Sequence, residues 1–159
     1  MGEEIYQKAL EYAKKKHEGQ FRIGGAPFIV HPIAVAEILR QDGKQVEYRV
    51  AAVFHDLGKI SIDKAILNKP GKLNNQEFEI MKQHTLIGAQ MLDSLEMYHD
   101  EEMMKYAYEI CRWHHERYDG KRYPDGLIGE QIPIAAQVVS VADVYDALVS
   151  KRVYKDAYS

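Results

Sequence analysis

The chain has 159 residues, 46% of them hydrophobic and 28% charged, enough for one globular domain with a real core and too few for a second full domain. A net charge of −3 and a pI near 6.2 give no electrostatic case for a nucleic-acid-binding surface. A phosphate-bearing small ligand stays open, because bound cations can supply local positive charge.

The elements read as helices separated by short, punctuated loops. Residues 3–16 carry Ile5, Ala9, Leu10 and Ala13 at helical spacing above a charged opposite face. Gly24, Gly25 and Pro27 interrupt the chain before Pro32, a first-turn proline for a second helix that ends near Gly43. Residues 46–57 form a third, richly apolar helix closed by Gly58. The stretch ISIDKAILNKPGKL reads as loop, with a strong turn at Lys69-Pro70-Gly71. A fourth helix starts at Asn74 or Asn75, either of which can cap it, and runs to about Leu95. A fifth covers residues 101–115, a long loop covers 116–133, and a last helix covers 134–150. Period-two patterns are nearly absent, so the fold class is all-α. The loop at 116–133 is too long for a mere connector, and such loops often carry function.

Cys111 is the single cysteine, which excludes an internal disulfide and fits a reducing compartment. It reads as a small apolar residue on a helix face. MGEEIYQKAL is acidic and amphipathic, unlike a signal peptide, and no apolar run is long enough to span a bilayer. With a mean hydropathy of −0.42, the expectation is a soluble, cytoplasmic chain with no nucleic-acid or membrane partner. A homodimer is left open.

The chemistry-bearing residues fall at helix ends or polar positions of five helices. His31 precedes the second, His55 and Asp56 lie near the end of the third, and His84 is inside the fourth. His114 and His115 end the fifth, and Asp143 lies in the last. Imidazoles and carboxylates converging from several helices are what a metal site within a bundle requires. Six or seven such ligands exceed one tetrahedral zinc, so two divalent ions are expected, iron, manganese, zinc and nickel all suiting the donors. Each residue has a plainer reading. His55-Asp56 taken alone reads as an exposed helix-end pair, and His84 alone as a satisfied helix histidine. Asp143 stands in the nearly continuous apolar run VVSVADVYDAL, where a carboxylate is costly to bury unless it is paired or metal-bound. Asp146 reads as its solvated or hydrogen-bonding companion, and His17 and His99 as surface residues. Tyr106, Tyr108 and Trp113 read as packing residues.

Three stretches, FHDLGKISIDKAILNKPGKLNNQEFEIMKQHTLIGAQML, HHERYDGKRYPDGLIGEQIP and VVSVADVYDALVSKRVYK, resemble the HD-GYP branch of the HD-domain metal-dependent phosphohydrolases. The resemblance covers roughly residues 50–155 and implies an HD-domain helical bundle with a metal site between its helices. It implies that Asp56 bridges two metals, iron or manganese being favoured. His55 is its signature partner, and His84, His114 and His115 match the second metal's ligands. Asp143 matches the carboxylate ligand of the first metal. Lys59 matches the lysine expected to contact substrate phosphate. Active members hydrolyse cyclic di-GMP.

The N-terminal stretch ALEYAKKKHEGQFRIGGAPFIVHPIAVAEIL resembles instead the opening of RelA/SpoT-type hydrolase domains that act on (p)ppGpp. That likeness makes His31 the remaining ligand of the first metal and Arg22 a nucleotide contact, with a solvated loop cation the equal alternative. The acidic pair those enzymes carry after their His-Asp motif is replaced by LGKISID, which argues against (p)ppGpp. Pro27 stands where some HD-GYP enzymes place a Glu for a third metal, so two metals are expected. The namesake Gly-Tyr-Pro reads Arg122-Tyr123-Pro124. Arg122 could offer its guanidinium to a phosphate, as could Arg117. Glu116 orients the neighbouring histidines or is a solvated loop acid.

Together these imply a single HD domain, residues 1–159, short at its C-terminal side. The expected reaction is phosphodiester hydrolysis by a hydroxide activated at a dinuclear centre, with Asp56 and Lys59 as its key residues. The substrate would be a cyclic dinucleotide. The alternatives are a nucleotide phosphomonoesterase or (p)ppGpp hydrolase, and a non-catalytic cyclic-dinucleotide-binding module.

Overall fold

The computed structural model describes residues 2–22, 24–95 and 102–149. Within them lie seven α-helices and no strand: α1 (Gly2–Lys16), α2 (Val30–Gln41), α3 (Val46–Phe54), α4 (Lys64–Leu67), α5 (Asn75–Asp93), α6 (Glu102–Trp113) and α7 (Ile134–Val149). The all-α expectation therefore holds. Extended backbone pairs only at two isolated bridges, Phe21 with Pro27 and Asp119 with Ile128. His99 and Ser150 lie outside the described residues.

Helix α3 is the hub, packing against α1, α2, α6 and α7. Its Val50, Ala51, Ala52 and Val53 are all at most 1% exposed, as expected of a helix that is apolar all round. Helix α1 covers it through Tyr6, Ala9, Leu10 and Ala13. Tyr6 takes the inward place that the periodicity assigned to Ile5, which is exposed.

Helix α5 has the clearest local cause. The Asn74 side chain accepts from the Glu77 amide, and the Glu77 carboxylate accepts from the Asn74 amide, each at 2.8 Å. This capping box satisfies two of the donors that a helix start leaves open. Lys69, from the Pro-Gly turn, grips the same Glu77 at 2.6 Å.

Two expectations are corrected. The third helix ends at Phe54, not at residue 57, and passes through His55 and Asp56 into a 3-10 turn, Leu57–Ser61. The apolar pattern runs on because Leu57, past the helix end, is itself apolar and buried. The turn packs against α5, where Gly58 lies so close that a Cβ would collide with the His84 carbonyl and the Gly88 amide. The stretch read as loop also contains α4, whose Asp63 cap accepts from the Ala65 amide at 2.7 Å. Four residues are too few for a periodicity to register.

Candidate metal centre

The seven expected ligands come from five separate supports. His31 lies in the first turn of α2, His55 and Asp56 in the turn after α3, and His84 on α5. His114 and His115 lie just past the end of α6, and Asp143 is on α7. The reading of His55-Asp56 as an exposed pair is overturned, since both are 1% exposed. His84 and His114 are equally buried.

The histidines are oriented alike. Nδ1 of His55, His84 and His114 faces the carbonyl of Ala52, Met81 and Ile110 at 2.6, 2.6 and 2.7 Å. A carbonyl only accepts, so Nδ1 carries the proton and Nε2 the lone pair. All three Nε2 atoms, together with Asp56 Oδ1, are buried without a hydrogen-bond partner among the described residues. Buried polar atoms left unpaired are costly, and four of them converging is the arrangement expected where a cation supplies the missing partner. This is how metal-ligating histidines are commonly held, one ring nitrogen fixed by the protein and the other aimed at the ion.

Asp56 divides the cluster. Its Oδ2 lies 3.4 Å from His55 Nε2 and 3.8 Å from His31 Nε2. Its Oδ1 lies 3.6 Å from His84 Nε2 and 3.8 Å from His114 Nε2. Two donor groups result, His31 with His55 and Asp56, and Asp56 with His84, His114 and His115, each with ligand atoms within 4.8 Å of one another. Asp143 joins the first group, its Oδ1 being 2.9 Å from His31 Nε2. Ligands at about 2.1 Å from a shared ion sit about 3 Å apart, so this spacing suits a common cation. The residues present therefore fit divalent metal in both groups. Pro27 is exposed and offers no donor atom.

The charge states suit metal as well. Burial pushes His55 down and His115 well down, and drives His84 to about 3 and His114 to about 4. Burial opposes the Asp56 carboxylate, yet Lys59 and the surrounding imidazoles hold it well below the usual range. Burial also opposes Asp143, yet its hydrogen bond with His31 and the charges of His55 and His31 together lower it. Neutral imidazoles and ionised carboxylates are the forms a metal needs. His31 is the exception: burial works against its charge, but Asp143 and Asp146 together raise it.

Lys59 places Nζ 2.7 Å from Asp56 Oδ2. It reaches this position from the 3-10 turn. Arg22, Arg117 and Arg122 line one open cavity of about 580 Å³ with Lys59, His31 and Asp143. Arg117 is also paired with Asp119 at 3.2 Å.

Three participants escaped the sequence reading or were left open by it. Asp146 is buried and holds His31 Nδ1 at 2.7 Å; its position three residues after Asp143, on an apolar helix, was the available signal. Glu116 is buried rather than solvated, and its Oε1 accepts from the amides of Asp125 and Gly126 at 2.7 and 2.9 Å. It thereby folds the 116–133 loop back on the histidine pair. His17 is 3% exposed, against its surface reading, and its lysine-rich surroundings gave no signal of burial. Cys111 is buried, as read, and donates to the Phe54 carbonyl at 2.8 Å. Trp113 donates to Asp125 at 2.7 Å.

A family model described as HD domain matches residues 30–159. The chain is 41% identical over 146 residues to the cyclic di-GMP phosphodiesterase response regulator RpfG of Xanthomonas campestris, covering 88% of this chain and 38% of that protein. It is 48% identical over 110 residues to a cyclic di-GMP phosphodiesterase of Thermotoga maritima, covering 69% of this chain and 29% of the relative. It is 43% identical over 109 residues to the 3'3'-cGAMP-specific phosphodiesterase 2 of Vibrio cholerae, covering 69% and 20%. The chain thus spans well under half the length of these relatives. No helix among the described residues is long and apolar enough to cross a membrane. By its helical frame, its His-Asp signature and these relatives, the chain belongs to the HD-domain family, in its HD-GYP-like branch.

Proposed function

We propose that this chain acts as one HD domain that hydrolyses a phosphodiester bond of a cyclic dinucleotide, cyclic di-GMP first among them, with two divalent metal ions. The observation that carries the reading is Asp56, whose two oxygens face separate sets of imidazole nitrogens, those of His55, His84 and His114 lacking a hydrogen-bond partner among the described residues. In the proposal His31, His55, Asp56 and Asp143 hold one ion, and Asp56, His84, His114 and His115 hold the other, iron or manganese being favoured. Metal bound there would supply an acidified water and neutralise charge on the phosphoryl group.

The chain's own groups do the rest. Lys59, already at 2.7 Å from Asp56, presents an ammonium to a phosphate oxygen at the centre. Arg22, Arg117 and Arg122 bring guanidinium groups to the cavity, where they can bind phosphate in a bidentate manner. Asp146 keeps His31 turned inward, and the three backbone carbonyls do the same for His55, His84 and His114. The lone buried thiol and a nucleotide substrate suit the cytoplasm.

The names of the relatives support both cyclic di-GMP and 3'3'-cGAMP as substrates. The test is a panel of cyclic di-GMP, 3'3'-cGAMP, linear pGpG, (p)ppGpp and nucleoside monophosphates, given to protein loaded anaerobically with iron or manganese. Turnover confined to the cyclic dinucleotides is expected. Turnover confined to (p)ppGpp or monophosphates, or binding of cyclic di-GMP without turnover, would overturn the assignment.

A further inference from the structure

His17 is used by nothing in the proposed reaction, yet it is 3% exposed and its neighbour Gln20 is 9% exposed. Gln20 Nε2 donates to the Lys59 carbonyl at 3.4 Å, and Gln20 Oε1 lies 2.7 Å from His17 Nδ1. A carbonyl only accepts, so the amide nitrogen must face Lys59 and the amide oxygen must face the imidazole. His17 Nδ1 is therefore the protonated nitrogen, and Nε2 carries a lone pair with no partner among the described residues. The ring has a second contact. It stacks on Phe28, with centroids 5.0 Å apart and planes at 27°. The Lys59 ammonium lies 5.5 Å from the centre of that same Phe28 ring, within cation–π range.

His17 thus reaches both ends of Lys59, the carbonyl through Gln20 and the ammonium through Phe28. A lysine side chain has four rotatable bonds and pays entropy for each that is fixed. Lys59 Nζ is drawn to Asp56 at 2.7 Å, and without further support its carbonyl and stem would be tethered by the 3-10 turn alone.

We propose that His17 is a positioning residue for Lys59: the His17–Gln20–Phe28 group sets where the Lys59 ammonium stands in the cavity. The proposal rests on the reading that Lys59 meets the substrate phosphate. It predicts coupling between two residues from opposite ends of a 42-residue separation, neither of which is a metal ligand in that reading.

The experiment is a double-mutant cycle on the full metal-loaded chain, with His17→Phe, Lys59→Met and the pair, read by kcat/KM on cyclic di-GMP and by metal content. His17→Phe keeps an aromatic ring for the stack and removes the Nδ1 proton. It is expected to lower kcat/KM about tenfold with Lys59 present and less than twofold in the Lys59→Met background, with metal content unchanged, since coupled residues are non-additive. An equal loss in both backgrounds, or a loss of bound metal, would overturn the proposal. A second readout needs no turnover. In protein labelled at lysine Cε, the Lys59 resonance, assigned by its loss in Lys59→Met, should move toward the exposed lysines in His17→Phe and in Gln20→Leu. Gln20→Leu also serves if His17→Phe does not fold. A Lys59 resonance unmoved in either variant refutes the coupling, whereas a wild-type chain that hydrolyses no cyclic dinucleotide refutes the proposed function and leaves this readout to decide the inference.

Discussion

Asp146 belongs to neither donor group and meets His31 Nδ1, so its removal tests how far the orientation of that ring matters. Its Oδ2 lies 2.7 Å from His31 Nδ1, with both side chains buried, and it helps to raise the His31 pKa. In Asp146→Ala, His31 loses the group that fixes its ring and makes its Nε2 more basic. Losing such an outer partner costs about 10–100-fold in metal affinity, or about 1.4–2.8 kcal/mol. Asp146→Asn can still accept from Nδ1 but carries no charge, so its loss should fall near the tenfold end. Competition against a chromophoric chelator measures this directly, with the alanine and asparagine variants compared with wild type. The weaker affinity should appear mainly at the site containing His31, the ring that Asp146 holds. Affinities within twofold of wild type, or an equal loss at both sites, would refute the reasoning.

Three further outcomes are expected. Gly58→Ala should force the 3-10 turn away from α5, costing about 1–3 kcal/mol as an overpacked contact does and loosening the approach of Asp56 to His84; a melting temperature and metal content like those of wild type would contradict this. In chelator-treated protein, stability should fall as pH drops from about 6.5 toward 4. The folded values of about 3 for His84 and 4 for His114 lie below the unfolded value near 6.5, so the unfolded chain takes up protons that the fold refuses, by about 1 kcal/mol or more per pH unit. Asp56 and Asp143, both held low, add a loss in the same direction at still lower pH, whereas His31, held high, loses its contribution on the alkaline side. Urea midpoints that stay flat or rise on acidification would count against neutral buried imidazoles. Arg122→Ala should raise KM for the cyclic dinucleotide about tenfold with little change in metal content, a value unchanged from wild type placing Arg122 outside the substrate contact.

The candidate donor set was legible in part because some of its members interrupt a regular pattern. Asp143 breaks an apolar helix, and His114-His115 ends one just before a loop rich in glycine and charge. A cap at Asn74 or Asn75 was legible from residue type; its reciprocal bond with Glu77 was not. What stayed hidden depends on tertiary contact. The end of α3 was hidden because Leu57 continues the apolar pattern, whereas the turn there is marked by the close packing of Gly58 on α5. His17 was hidden because its neighbours Lys14, Lys15 and Lys16 describe an exposed helix end. Phe28 and Gln20, brought back by the bridge between Phe21 and Pro27, enclose it. The roles of Asp146 and Glu116 depended on which atoms they meet, which spacing does not encode.

The central claim is that Asp56 is shared by two metal ions. Metal content per chain, measured after anaerobic loading for wild type and Asp56→Ala together, tests it most directly. Two ions per chain are expected in wild type, with a loss from both sites in the variant. One ion per chain in wild type, or two retained without Asp56, would contradict it.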